Sequence, residues 1–268
     1  MDVLSVRGLN KSFRDNSVLT GLDLSVRKGE VYGFLGRNGS GKTTTIKIIL
    51  GLSRPDAGTV SINAGSIGFL PDVPAYHPWM RADEFLRYCG KLSGLRGRAL
   101  ESRVDMLLSL SKLSGQTQKI MDFSRGMRQR LGMAQALINA PDLLILDEPT
   151  SALDPLGRRD VLDMIQELKG RATVMFSTHL LDDAERVCDR VGILQGGRLI
   201  VEAPIGELTT GDSSSIDLVV SPIGDAERPR LEHAIAEAGW KLERSTPHRR
   251  SLESAFVAYT ETTEGTPR

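Results

Sequence analysis

The chain carries 34 basic and 34 acidic side chains, histidine aside, in 268 residues, for a formal net charge of zero. That length allows one large domain with a full hydrophobic core, alone or with a small appendage. The charge balance argues against a protein whose main task is to hold a polyanionic nucleic-acid backbone, and no apolar run approaches the roughly 20 residues that cross a bilayer.

Residues 3–6, 18–26 and 31–35 read as strands, and Glu30-Val31-Tyr32-Gly33-Phe34-Leu35 has the apolar texture of a buried one. Directly after it comes Gly36-Arg37-Asn38-Gly39-Ser40-Gly41-Lys42-Thr43, which fits the phosphate-loop pattern G-x-x-x-x-G-K-[ST], and Thr44 leads into a helix. In such a loop the glycines let consecutive backbone N–H groups curl around a β-phosphate. Lys42 then reaches the β/γ oxygens, and the Thr43 hydroxyl can ligate Mg²⁺. The helix N-terminus adds its dipole to the attraction, so residues 36–44 are the expected ATP-binding set. Strands at 59–62 and 67–70 follow, and the short alternating runs separated by Gly, Asn and Asp predict a small antiparallel element beside the main sheet.

From Pro74 the texture changes. Residues 83–92, 98–110 and 127–137 carry apolar side chains at three- and four-residue spacing, a helical insertion spanning about 73–138. Leu143-Leu144-Ile145-Leu146 is then a continuous apolar run ending in Asp147-Glu148, as expected of a central parallel strand buried on both faces. A helix at 158–169, a buried strand at 173–176 and a hairpin at 193–200 turning on Gly196-Gly197 complete the pattern. Strands alternating with helices predict an α/β sheet with ligands at its carboxyl ends. The fold class is therefore an α/β P-loop NTPase core with an N-terminal antiparallel β element, the helical insertion and a small α+β C-terminal appendage. The core is placed at 1–205 and the appendage at 206–268. A polar linker at 209–215 is followed by strand- and helix-like segments at 216–220, 228–238, 240–243 and 252–260. The N-terminus lacks a basic segment followed by an apolar one, so no signal peptide is expected. Cys89 and Cys188, far apart and outside any C-x-x-C, read as small buried hydrophobes or free thiols of a reducing compartment.

An acidic pair at the tip of a buried strand is chemically useful when a phosphate loop shares the chain. Asp147 can hold Mg²⁺ directly or through its water, and Glu148 can polarise an attacking water. Several motifs then resemble one family. Phe123-Ser124-Arg125-Gly126-Met127-Arg128-Gln129-Arg130 looks like the signature motif of ATP-binding-cassette (ABC) ATPases. Ser151-Ala152-Leu153-Asp154 resembles the family's D-loop, His179 its switch histidine, and Phe13 the aromatic that stacks on adenine. The resemblance covers about residues 1–205 with the motifs in the family's order.

The resemblance implies that His179 donates to the γ-phosphate, and that Ser124, Arg125, Gly126 and Met127 contact ATP held by an opposite subunit. Taken alone, Phe13 reads first as a core aromatic, and Ser124 could be a simple helix cap. Arg125 and Met127 depart from the usual Gly and Gln of the signature in the manner of export-type cassettes. Asp72 stands where the family has Gln and is a candidate Mg²⁺ ligand. Ser251-Leu252-Glu253-Ser254-Ala255-Phe256 resembles the closing motif of bacterial drug, antibiotic, lipid or polysaccharide exporters. The implied protein is the ATPase subunit of an exporter, using ATP and Mg²⁺. It would be cytoplasmic and held at the membrane by a separate permease, with a second copy as partner and no nucleic acid. The alternatives are a soluble ABC ATPase of DNA repair or translation, and a regulatory ATP-binding module.

Overall fold

In the computed structural model, which describes residues 1–14, 16–151, 153–209 and 227–240, the chain opens on a long hairpin. β1 (Asp2–Phe13) and β2 (Asn16–Arg27) pair antiparallel, and Leu22, Leu24 and Val26 show the period-two burial of a one-sided sheet. β3 (Val31–Leu35) leads into α1 (Lys42–Ile49); β4 (Ala57–Ile62) then joins the hairpin in a sheet of order β2-β1-β4. β5 (Ile67–Leu70) precedes the helical insertion of α2 (Ala82–Leu92), α3 (Gly97–Leu110), a 3₁₀ turn (Ile120–Asp122) and α4 (Arg125–Ala136). β6 (Leu143–Asp147), α5 (Pro155–Leu168), β7 (Thr173–Thr178), α6 (Leu181–Val187), β8 (Arg190–Gln195), β9 (Arg198–Pro204) and α7 (Ile205–Thr209) follow.

The larger sheet runs β5-β6-β7-β3-β8-β9, parallel except for the β8–β9 hairpin. Its three central strands are buried along their whole length, and alternate side chains divide between two cores. Val31, Leu35, Leu144, Leu146, Val174 and Phe176 face the helical insertion and α5. Tyr32, Phe34, Leu143, Ile145 and Met175 face α1 and the antiparallel sheet. Continuous apolar runs are therefore required in these strands, since both faces leave water.

Compact packing divides the chain into two units, Met1–Thr209 and Thr210–Arg268. The first unit runs past the boundary placed at 205, because Ile205 packs on the core and its N–H donates to the Asp189 carbonyl at 3.0 Å. In the second unit, α8 (Arg228–Glu237) lies where a helix was predicted and buries none of its side chains. The rest of the linker, appendage and closing motif read at 210–220 and 241–260 lies outside the described residues. Among the described residues no helix is long and apolar enough to cross a membrane.

Both cysteines are free thiols; Cys188 is buried and Cys89 half-buried, and burial pushes the Cys89 thiol up to about 11. Gly33 explains one tight contact: a Cβ there would lie 2.7 Å from Cys188 Sγ and 3.0 Å from Val191 Cγ1. Gly33→Ala is expected to destabilise the fold by about 1–3 kcal/mol in urea unfolding through overpacking. Adding Cys188→Ala should recover part of that loss; a double variant no more stable than Gly33→Ala would show that the sulfur contact does not set the limit.

Candidate functional site

β3 ends at the phosphate loop, and three features of the loop follow from its glycines. A Cβ on Gly36 would stand 2.6 Å from Ser40 Oγ and 2.7 Å from the Leu194 carbonyl, so only glycine allows the closed curl. Gly39 and Gly41 take φ of +81° and +112°, conformations closed to ordinary L-residues. Gly41 also caps α1 without a side chain and no acid sits in the first turn, leaving the first-turn N–H groups and the positive helix end available to an anion. Arg37, Asn38 and Gly39 are exposed at the rim and Thr44 is half-buried in α1. Lys42 is 5% exposed and folds back so that Nζ donates to the Gly36 carbonyl at 2.6 Å.

The neighbouring strands deliver the acids. In the parallel register Leu35 lies beside Thr178 and Asp147 beside Ser177, so the carboxyl ends of β3, β7 and β6 adjoin. Asp147 is 2% exposed and accepts from the Ser177 hydroxyl at 2.7 Å. Burial pushes its carboxyl above the usual range; hydrogen bonds from Ser177 and Thr43 hold it down, and the Asp72 and Glu148 carboxylates push it up further. Thr43 and Asp147 thus place two hard oxygen donors together where negative charge is in excess. That donor set fits Mg²⁺, which commonly uses one or two carboxylates with waters and substrate phosphates. Among the described residues no group of three His, Cys, Asp or Glu side chains is arranged to hold a metal. Asp72, exposed, accepts from the Ser151 hydroxyl at 3.2 Å.

Glu148 has a backbone φ of +49°, a left-handed conformation that costs a non-glycine residue about 1–2 kcal/mol. Its N–H donates to Ser177 Oγ at 3.0 Å and lies 3.2 Å from the Ser177 carbonyl, so one serine holds both acids in place. Nothing in the sequence pattern marked Ser177. Glu148 Oε2 lies 2.8 Å from His179 Nδ1. Lys42 Nζ stands 3.0 Å from Oε1 as an ion pair but is not aligned to donate, which leaves Oε1 without a hydrogen-bond donor. Ser40 Oγ and Glu148 Oε1 are the two buried side-chain polar atoms without a hydrogen-bond partner among the described residues, and both belong to this site. A buried donor–acceptor shortfall of this kind suits a ligand bearing phosphate oxygens and a water.

The remaining candidates stand elsewhere. Ser124 is exposed and caps α4, accepting from the Met127 N–H at 3.2 Å; Arg125 is exposed and Gly126 and Met127 are half-buried. Asp154 caps α5 by accepting from the Gly157 N–H at 3.2 Å. The first turns of these two helices abut, a Cβ on Gly126 lying 3.7 Å from Gly157 Cα. Phe13 is 52% exposed, which excludes the core reading, and Lys11 Nζ lies 5.1 Å from its ring centroid while paired with Asp56 at 2.8 Å. Among the described residues no hydrogen bond joins Ser124 or Asp154 to the phosphate loop of the same chain.

Comparison with known proteins gives a uniform answer. A sequence family described as ABC transporter matches residues 19–151. An uncharacterized ABC transporter ATP-binding protein, YxlF of Bacillus subtilis, is 42% identical over 221 residues, covering 80% of this chain and 75% of that protein. A Nod factor export ATP-binding protein I from Burkholderia lata is 38% identical over 74% of this chain and 70% of its own length. The bacitracin transport ATP-binding protein BcrA of Bacillus licheniformis is 34% identical over 82% and 75%. Among solved structures, an ATP-binding subunit of an ABC transporter superposes with a TM-score of 0.69 at 32% identity, covering 77% of this chain and 91% of that one. The cbiO1 protein of Clostridium perfringens, part of the cbiONQ transporter complex, gives 0.69 at 26% identity, over 77% and 90%.

Ser177→Ala removes a donor from Asp147 and another contact from the Glu148 N–H. The magnesium concentration needed for half-maximal nucleotide binding is expected to rise by about tenfold, the usual size of a supporting-residue effect. An unchanged magnesium dependence would show that Ser177 does not tune the Asp147 carboxylate.

Proposed function

The chain belongs to the ABC transporter family as an ATP-binding, ATP-hydrolysing subunit, and from this premise we propose that it uses MgATP to drive a separate membrane permease in the export direction. Lys42 and the loop amides take the phosphate charge, and Phe13 offers its exposed ring to the adenine. Thr43 and Asp147 would hold Mg²⁺, which when bound neutralises charge on the phosphate oxygens. Asp72, within electrostatic reach of Asp147, is a further candidate oxygen donor to that cation. Glu148 orients a water for in-line attack and takes up its proton, and His179 steadies the terminal phosphate. Catalysis in such a site is mostly positioning and charge neutralisation.

The observation that carries this reading is the environment of Glu148. One carboxylate oxygen is engaged by His179, and the other is buried beside Lys42 without a donor. A general base needs a carboxylate oxygen not already taken up by a hydrogen-bond donor, and Oε1 accepts none. The export direction rests on the Nod factor export and bacitracin transport relatives, and the permease on the family's role and on the cbiONQ assembly of a structural neighbour. That partnership would place the chain on the cytoplasmic face of the membrane. The exposed Ser124 and Arg125, with no hydrogen bond from Ser124 to the loop of its own chain among the described residues, support a site completed by a second copy.

Glu148→Gln keeps size and shape but removes the base. Its turnover of ATP is expected to fall by about 10²–10⁴-fold with nucleotide affinity nearly unchanged. A variant that hydrolyses at the wild-type rate would remove Glu148 from the chemistry. Recovery of the wild-type chain with an integral membrane protein after mild detergent extraction supports the transporter; recovery only with ribosomes or DNA would overturn it.

A further inference from the structure

Beyond the residues assigned above, one buried carboxylate joins the two segments that carry the catalytic pair. Asp183, on α6, is 1% exposed. Its Oδ2 accepts from the Thr150 hydroxyl at 2.5 Å and its Oδ1 from Arg158 Nε at 2.5 Å. Thr150, also 1% exposed, lies two residues after Glu148; Asp183 lies four after His179. The contact therefore closes a ring. Ser177 ties the strand ends together on the inner side, through Asp147 and the Glu148 N–H. Asp183 ties the same two segments on the outer side, and the Glu148–His179 contact of 2.8 Å lies between the two ties.

We infer that Asp183 is a positioning residue for the Glu148–His179 pair, acting through Thr150 and through α5. Three observations lead there. Glu148 holds a left-handed backbone conformation, which persists only when its surroundings over-determine it. The turn that follows is fixed at both ends: Ser151 N–H donates to the Glu148 carbonyl at 3.2 Å, and Leu153 N–H to that of Thr150 at 3.3 Å. On the other segment, Leu180 N–H donates to Thr178 Oγ1 at 3.0 Å, which ties the start of α6 back across His179 to the end of β7. A charged acceptor buried among short hydrogen bonds is a stiff connector, because charge-assisted bonds are stronger than neutral ones. Through Arg158 it also reaches the helix capped by Asp154, so the D-loop helix, the acid pair and the switch histidine share one anchor. This inference rests on the proposed roles of Glu148 and His179.

The test compares Thr150→Val, Thr150→Ser and Asp183→Asn in the purified full-length chain. Turnover, equilibrium binding of a fluorescent ATP analogue with Mg²⁺, and thermal unfolding are measured for each. Thr150→Val deletes only the donor. Its kcat is expected to fall about tenfold, as for a small misplacement of a catalytic group, with nucleotide affinity within about twofold. Thr150→Ser, which keeps the hydroxyl, should restore turnover, and Asp183→Asn should fall in kcat without a matching loss of affinity. If Thr150→Val turns over like the wild type, Asp183 does not position the pair. If kcat, affinity and melting temperature fall together and Thr150→Ser does not restore them, the contact is structural and the inference is wrong. Should Thr150→Val not fold, the kcat-against-affinity split of Asp183→Asn decides on the same criteria. A wild-type rate in Glu148→Gln would instead overturn the underlying assignment of the base.

Discussion

The site depends on one constraint, the parallel register of β6, β7 and β3 at their carboxyl ends. Asp147 pairs with Ser177 and Leu35 with Thr178, so the phosphate loop, the acid pair and His179 all leave the sheet at one level on adjacent strands. A slip of one residue would turn every side chain of a strand to the other face, and both faces here are packed. Leu144, Leu146, Val174 and Phe176 are committed to one core and Leu143, Ile145 and Met175 to the other. Core packing thereby fixes the relative placement of the phosphate loop, the acid pair and His179.

Within that frame the charges are arranged unevenly. Asp147 is a buried acid and the adjacent Glu148 a half-buried one, and Lys42 is the cation that meets Glu148 directly. Burial alone raises the Asp147 carboxyl, and its neighbours Asp72 and Glu148 raise it further, against the hydroxyl donors Ser177 and Thr43. An added cation beside these carboxylates would relieve their mutual repulsion, which is the charge argument for the proposed Mg²⁺. Two buried oxygens of the site, Ser40 Oγ and Glu148 Oε1, lack hydrogen-bond partners among the described residues, a shortfall that suits phosphate oxygens and a water.

Much of this was legible in the sequence, and the limit is physical. The loop glycines, the apolar run before Asp147-Glu148 and the Gly196-Gly197 turn are local signals, since each follows from what a few consecutive residues can do. Ser177 and the Thr150–Asp183–Arg158 cluster were not legible, because they join residues some distance apart in the chain and an isolated Ser, Thr or Asp reads as a cap or a surface group. The left-handed φ of Glu148 was hidden for the same reason: strain is imposed by the surroundings. Phe13 was ambiguous between core and platform, and its exposure excludes the core reading. Asp72 reads as a metal ligand by its place in the motif order, yet its hydrogen bond goes to Ser151.

One chain holds the phosphate loop, the acids and the histidine together, while Ser124 and Asp154 cap helices that meet each other at Gly126 and Gly157. A site completed by a second copy follows if the exposed signature segment faces the nucleotide of its partner. Mixing two inactive variants tests this directly, one carrying Lys42→Ala and the other Ser124→Arg. Each alone should hydrolyse little ATP. Together they should regain a substantial fraction of wild-type turnover, because the mixed pair contains one site with both an intact Lys42 and an intact Ser124. A mixture no more active than its components, or a Ser124→Arg chain with wild-type activity, would contradict the two-chain site.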